Sequence, residues 1–174
     1  MRVQEEEETM SGSKQVLLHR VTKERSTLFY SIASLPDDEL VRRPLVGKWS
    51  AKDILGHIES WEAEIVRGIE QFMRGERPGL LDIADDDAWN AEQARSKWDL
   101  PLAQIEDQMI ATHQRLLDLV ASLPDEAFAR PGPAPMTRPF IPAMLNAMAD
   151  HDREHWAALM AYKEKWVAQQ QVAV

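Results

Sequence analysis

Apolar side chains recur every three or four residues in four long segments of the chain. This spacing places them along one face of an α-helix, and no segment shows the strict alternation that is typical of a half-buried β-strand. The four predicted helices cover residues 14–35, 51 to just before Gly75, 100–123 and 142–169. Four amphipathic helices of similar length predict an all-α fold, a four-helix bundle.

The connections between these helices are marked by proline, glycine and capping residues. Leu35-Pro36-Asp37 ends the first helix, and Ser50 with Asp53 forms a capping-box pattern at the start of the second helix. The connection at residues 75–98 is long and contains a predicted short helix near 87–96. Long structured connections often carry functional residues.

Length and charge limit the classes of protein that the sequence can encode. The 174 residues suit one domain, assigned to residues 14–170 after a disordered acidic tail at residues 1–13. The net charge of −9 predicts repulsion from phosphate backbones and anionic lipids, so we expect neither nucleic acid nor a membrane as a partner. The absence of a secretory pattern predicts a cytoplasmic protein. The sequence has no cysteine, so any metal must use nitrogen or oxygen ligands.

Three histidines lie within the apolar stripes of the second and fourth predicted helices. His57 follows Ile54 by three residues, and His151 and His155 are one helical turn apart. A His-x-x-x-His pair alone is a weak signal, but three buried imidazoles without partners would cost roughly 1 to 3 kcal/mol each. Neutral imidazole suits zinc, nickel, copper and ferrous iron, and three such ligands leave open coordination positions. The sequence therefore predicts a divalent metal site.

Several other polar or aromatic residues have both a functional and a structural interpretation. His113, on the third helix, could supply a fourth ligand, but a hydrogen bond inside the core is the first expectation. Glu24 could orient a ligand histidine, act as a general base or reach solvent. Trp61 and Trp156 could wall a pocket, although aromatic residues at helical spacing usually belong to the core. The run at residues 85–87 is expected to mark a solvated loop or a helix start rather than a metal cluster.

Two motifs resemble the DinB-like superfamily. The first is Arg43-Pro44 followed by residues 49–62, and the second is the stretch from His151 to His155. The order and spacing of the two motifs resemble those of superfamily members, and the resemblance covers roughly residues 14–168. This resemblance implies an up-down-down-up bundle with a long crossover between the second and third helices, a homodimer, and a metal triad made of His57, His151 and His155.

The resemblance also suggests a reaction. Members with known activity include mycothiol-dependent maleylpyruvate isomerase and bacillithiol transferase, in which the metal activates a low-molecular-weight thiol. The leading hypothesis is an enzyme that holds zinc or nickel and directs a thiol or water at a small electrophilic substrate, as a thiol transferase or a hydrolase. Two alternatives stay open, namely a non-catalytic metal-binding or stress-related protein, and a metal-free interaction module. The sequence does not name the substrate or the metal.

Overall fold

The computed structural model describes residues 13–42, 44–45 and 47–172. Within these residues there are six α-helices and no β-strand, which confirms the predicted all-α class. The helices are α1 (Lys14–Ile32), α2 (Asp37–Arg42), α3 (Ala51–Met73), α4 (Asp86–Lys97), α5 (Leu102–Ser122) and α6 (Phe140–Val172). Residues 1–12 of the predicted acidic tail lie outside the described residues.

Capping residues define the starts of two of the long helices. Ser13 Oγ accepts a hydrogen bond from the amide of Val16 at the start of α1. At α3 the predicted capping box is present, because Ser50 Oγ accepts from the Asp53 amide at 3.1 Å and Asp53 Oδ2 accepts from the Ser50 amide at 2.8 Å. These bonds satisfy amide groups that the first turn of a helix leaves without a partner.

The segment after α1 contains a helix that we did not predict. α1 ends at Ile32, and α2 is only six residues long. Pro36 precedes α2, and the first turn of α2 contains three acidic residues. Carboxylates in the first turn stabilise a helix. A helix of this length has too few apolar positions for its periodicity to be recognised.

The long helices pack mainly as two pairs, α1 with α6 and α3 with α5. α1 and α6 run parallel, because Arg20 near the start of α1 pairs with Asp150, while the Tyr30 carbonyl near its end accepts from Lys163. α3 and α5 also run parallel, because Thr112 of α5 donates to Glu59 of α3, while Arg115, further along α5, pairs with Glu70, further along α3.

α3 and α6 run in opposite directions. The Phe72 ring at the end of α3 lies 4.7 Å from the Phe140 ring at the start of α6, whereas His57 near the start of α3 meets His155 further along α6. The up-down-down-up order of the bundle stays a prediction. Apolar side chains from all four long helices fill the space between them, among them Leu17, Leu28, Ile54, Ile58, Ile69, Ile105, Met109, Leu116, Leu145 and Leu159.

Candidate metal centre

The three histidines selected from the sequence converge in the folded chain. Nε2 of His57 lies 2.8 Å from Nε2 of His151, and Nε2 of His155 lies 3.0 Å from the same atom. The ligand atoms of all three side chains fall within 4.8 Å of one another. α3 supplies one imidazole and α6 supplies two from adjacent turns, so two antiparallel helices form the triad.

The environment of the triad keeps all three imidazoles neutral. Burial, followed by the proximity of His155, lowers the pKa of His57 to about 4. Burial and the two neighbouring histidines lower the pKa of His151 to about 3, and burial lowers the pKa of His155. A neutral imidazole has a lone pair available for a metal ion. The triad is therefore in its ligand form at neutral pH.

The donor set fits a divalent cation better than it fits a hydrogen-bonded cluster. An imidazole nitrogen has either one proton or one lone pair, so Nε2 of His151 can form one good hydrogen bond while it faces two nitrogens. A central cation would satisfy the three lone pairs together. Nitrogens at about 2.0 to 2.1 Å from a tetrahedral ion are roughly 3.3 Å apart, so a small opening of the triad suffices.

Two solvent-accessible clefts flank the triad. The first has a volume of about 450 Å³ and lies between α3 and α6. The second has a volume of about 490 Å³ and lies between α4 and the segment that precedes α3. His57 and His155 line both clefts. The lining of the first cleft is completed by Trp61, Ile65, Asp86, Asn90, Ala147, Met148, His151 and Glu154.

α4 forms the outer wall of both clefts and is held by polar and aromatic contacts. Trp61 Nε1 donates to Oδ1 of Asn90 at 2.9 Å, and the rings of Trp61 and Trp89 are 4.2 Å apart. At the other end of α4, Lys97 Nζ donates to the carbonyl of Gly56 at 2.7 Å. No residue of α4 is fully buried. The helix therefore rests on the bundle surface without entering its core.

A buried charged network lies beside the triad and was not predicted from the sequence. Arg25 Nη1 donates to Oε2 of Glu62 at 2.7 Å, and Arg25 Nε donates to Oδ2 of Asp152 at 2.8 Å. The exposed fractions of Arg25, Glu62 and Asp152 are 2%, 0% and 1%. His113 Nδ1 lies 2.7 Å from the second oxygen of Glu62. One residue from each long helix thus contributes to the network.

The sequence contained a signal for this network. Arg25 lies between Val21 and Leu28, Glu62 between Ile58 and Ile65, and Asp152 between Met148 and Leu159, all at helical spacing with buried residues. Charged residues at core positions of three helices, with opposite signs, indicate a buried ion pair. We had assigned the inner positions of the fourth helix to its two histidines and did not assign Asp152.

Other candidate residues lie away from the triad. His113 forms the core hydrogen bond that was the first expectation for it. Glu24 is buried, but it accepts a hydrogen bond from Trp156 Nε1 at 2.9 Å and not from a histidine. Trp61 does line a cleft. Asp85 caps α4 by accepting from the Ala88 amide, as expected for a helix start.

The sequence model of the DinB superfamily matches residues 20–159. This match covers most of the chain and all three histidines of the triad. The chain belongs to the DinB superfamily. The resemblance seen in the two motifs is thereby confirmed, and no curated protein matches the sequence.

Two solved structures share the fold of this DinB-superfamily chain. One is the colibactin self-resistance protein ClbS in complex with dsDNA, with a TM-score of 0.74 and 12% identity over 85% of this chain and 93% of that chain. The other is an uncharacterised protein from Escherichia coli UTI89, with a TM-score of 0.73 and 14% identity over 91% of this chain and 95% of that chain. At these identities the likeness shows the fold alone.

The exclusion of nucleic acid as a partner was wrong. It rested on the net charge of the whole chain, whereas ClbS, which has the same fold, forms a complex with dsDNA. Phosphate contacts are local, so a summed charge does not exclude them. Among the described residues, no helix is long and apolar enough to cross a membrane. The homodimer stays a prediction.

Proposed function

We propose that this DinB-superfamily protein is a metal-dependent enzyme in which His57, His151 and His155 bind one zinc or nickel ion. The observation that carries the proposal is the close approach of three neutral imidazole nitrogens, with separations of 2.8 and 3.0 Å. Three protein ligands leave coordination positions open, which is typical of catalytic rather than structural zinc sites. Access to the ligands through two clefts supports the same interpretation.

When bound, such an ion supplies Lewis acidity, which favours loss of a proton from a thiol or from water at neutral pH. The side chains of the protein supply binding and orientation. Trp61, Ile65 and Met148 give the first cleft an apolar wall, while Asn90 offers an amide that can orient a polar group. Its volume of about 450 Å³ suits a small molecule.

We propose a small electrophilic substrate, attacked by a low-molecular-weight thiol or by water. Thiol transfer is preferred over hydrolysis by analogy with members of the superfamily, and this preference has only that analogical basis. No carboxylate hydrogen-bonds a triad nitrogen among the described residues, although Asp86 and Glu154 line the first cleft beside the triad. The proton of the thiol or water would then pass to solvent through the open clefts.

Metal content tests the first part of this proposal. Protein purified without an affinity tag should contain about one equivalent of zinc or nickel by elemental mass spectrometry. His57→Ala and His155→Ala should remove the metal, whereas the control His19→Ala, at an exposed position on α1, should retain it. A wild type that stays metal-free after incubation with both metals would contradict the proposal and favour the interaction module.

Activity tests the second part. Conjugation of a low-molecular-weight thiol to an aryl halide should be faster with metal-loaded protein than with metal-free protein or His57→Ala. Equal rates for the three samples would contradict an enzymatic role. Stoichiometric metal with no turnover would instead support the non-catalytic metal-binding alternative.

A second candidate function is binding of duplex DNA without turnover, and the ClbS complex is the observation that favours it. Exposed Arg67, Arg74 and Arg77 are each paired with a carboxylate of this chain. DNA would have to compete with these pairs. Phosphate contacts also release counterions from the duplex, so binding should weaken steeply as salt is added. Fluorescence anisotropy with a labelled duplex tests this, and an unchanged anisotropy at low salt would exclude this function.

A further inference from the structure

Arg25 of α1 connects the two helices that carry the triad, although it contributes no ligand to it. Its guanidinium donates to Glu62 of α3 through Nη1 at 2.7 Å. It also donates to both carboxylate oxygens of Asp152 of α6, through Nε at 2.8 Å and Nη2 at 3.3 Å. Asp152 directly follows His151, so one end of this bridge lies beside the triad.

Direct packing between α3 and α6 is limited around the triad. Each of these helices packs mainly against another partner, α5 for α3 and α1 for α6. The first cleft separates them where Trp61 and Ile65 of α3 face Ala147 and Met148 of α6. On the side of the cleft, apolar side chains therefore do not fill the space between the two helices, and polar contacts can contribute to setting their distance.

The Arg25 bridge can set that distance. A guanidinium is planar and presents its N–H groups in a fixed fork, so two carboxylates bound to it have a defined separation and angle. Arg25, Glu62 and Asp152 are 98% to 100% buried, since their exposed fractions are 2%, 0% and 1%, and water therefore does not compete for these bonds. Glu62 also contacts His113, which extends the bridge to α5.

We infer that Arg25 is a positioning residue for the metal centre, because its bonds to Glu62 and Asp152 hold α3 and α6 at the separation at which the triad can bind one ion. This inference rests on the proposed metal function. A buried ion network often gives no more stability than apolar residues of similar volume. Removal of the whole network should therefore affect metal affinity more than it affects stability.

The charge of Arg25 and its geometry predict opposite effects of its removal on metal affinity. A positive charge close to the triad disfavours a bound cation, and the same charge contributes to the low pKa of His151. If Arg25 acted by charge alone, its removal would tighten metal binding. If Arg25 acts by holding the helices in place, its removal weakens metal binding. Arg25→Lys separates the two effects, because it keeps the charge and loses the geometry.

The test measures Co²⁺ binding by visible absorption, which also reports coordination geometry, on tag-free protein at neutral pH. Arg25→Lys keeps the charge but cannot bridge two carboxylates as a fork. The triple variant Arg25→Met, Glu62→Gln and Asp152→Asn removes the whole bridge and keeps the volume of each side chain similar. Because it removes one positive and two negative charges, its change in charge also weakens cation binding, so Arg25→Lys decides between charge and geometry. Val120→Ala, a buried position of α5 outside the network, serves as a control that loses stability without changing the bridge.

We expect Arg25→Lys and the triple variant to bind Co²⁺ about 10 to 100 times more weakly than the wild type, the range found when groups that orient metal ligands are removed. Their absorption bands should also change shape. Val120→Ala should bind as the wild type does. Thermal melts of the metal-free variants show whether each variant is folded. If the triple variant does not fold, Arg25→Lys still provides the test.

Unchanged or tighter Co²⁺ binding by Arg25→Lys and the triple variant, with wild-type binding intact, would overturn the positioning role of Arg25. It would leave the proposed metal site unaffected. An equal loss of affinity in Val120→Ala would also overturn the positioning role, because lower stability would then explain the effect. A wild type that binds neither Co²⁺ nor zinc or nickel would overturn the proposed function and, with it, this inference.

Discussion

Nδ1 of His113 lies 2.7 Å from Oε1 of Glu62, and this contact separates His113 from the three histidines of the triad. Glu62 is fully buried, and its second oxygen accepts a hydrogen bond from Arg25. One carboxylate therefore joins three of the long helices. The four inward histidines thus divide into a triad that can bind a metal and one residue of the buried network.

Glu62→Ala should be strongly destabilising. It leaves Arg25 with a single carboxylate partner in the core, and breaking a buried pair in this way costs roughly 3 to 5 kcal/mol. Urea denaturation of wild type and variant measures the loss. Glu76→Ala, which removes an exposed pair with Arg74, is the matched control and should cause little change. Similar effects for the two substitutions would show that the buried pair contributes nothing specific.

The metal-free protein should lose stability as the pH falls below about 6.5. The pKa values of His57 and His151 are lowered to about 4 and about 3 in the folded state. The unfolded chain therefore binds more protons below pH 6.5, and the stability present above that pH is lost on acidification. Between pH 7.5 and pH 5 each residue should account for about 1 to 2 kcal/mol.

Urea melts of chelator-treated protein across this pH range check the prediction. His57→Ala and His151→Ala should flatten the dependence, and His19→Ala should leave it unchanged. A stability that stays constant from pH 7.5 to 5 would mean that the two imidazoles take up protons in the folded state.

Zinc or nickel should raise the melting temperature of the wild type. An ion that binds only the folded state, at a concentration about 100 times its Kd, stabilises by about 2.7 kcal/mol. For a chain of this size that corresponds to a rise of roughly 5 to 11 °C. His155→Ala should lose this rise. Differential scanning calorimetry with and without a chelator makes the comparison, and magnesium is the control because it prefers oxygen ligands.

Asn90→Ala should loosen α4 without unfolding the bundle. The substitution removes the acceptor for Trp61 Nε1, and no residue of α4 is buried in the core. Amide hydrogen exchange should accelerate within α4 and stay unchanged in α1 and α5. Gln93→Ala, on the same helix but outside the contact, is the control. Equal exchange in Asn90→Ala and Gln93→Ala would place the anchor of α4 elsewhere.

The long helices were predictable because each carries a continuous apolar stripe. The triad was predictable for the same reason, since His57, His151 and His155 occupy positions in those stripes. α2 was missed because six residues are too few for a periodic pattern. The shape of the clefts was not predictable, because it depends on how α4 rests against α3, which is fixed by the contacts of Trp61 and Lys97.

The buried network could have been found but was not. Arg25, Glu62 and Asp152 fall on the stripes, yet a charged residue at such a position usually reaches solvent at the edge of a bundle. Sequence spacing does not distinguish these two outcomes for one residue. Opposite charges on different helices do distinguish the two outcomes. They indicate a buried pair only once the helices are known to be neighbours.

The two helices that supply the triad are far apart in the sequence. His57 and His151 are separated by 94 of the 174 residues, so a large loop must close before any ion can be bound. Partly folded chains without this contact gain nothing from the metal. Metal binding should therefore slow unfolding much more than it speeds refolding, as expected for contacts that form after the transition state. The ion would then control how long the folded protein survives rather than how quickly it forms.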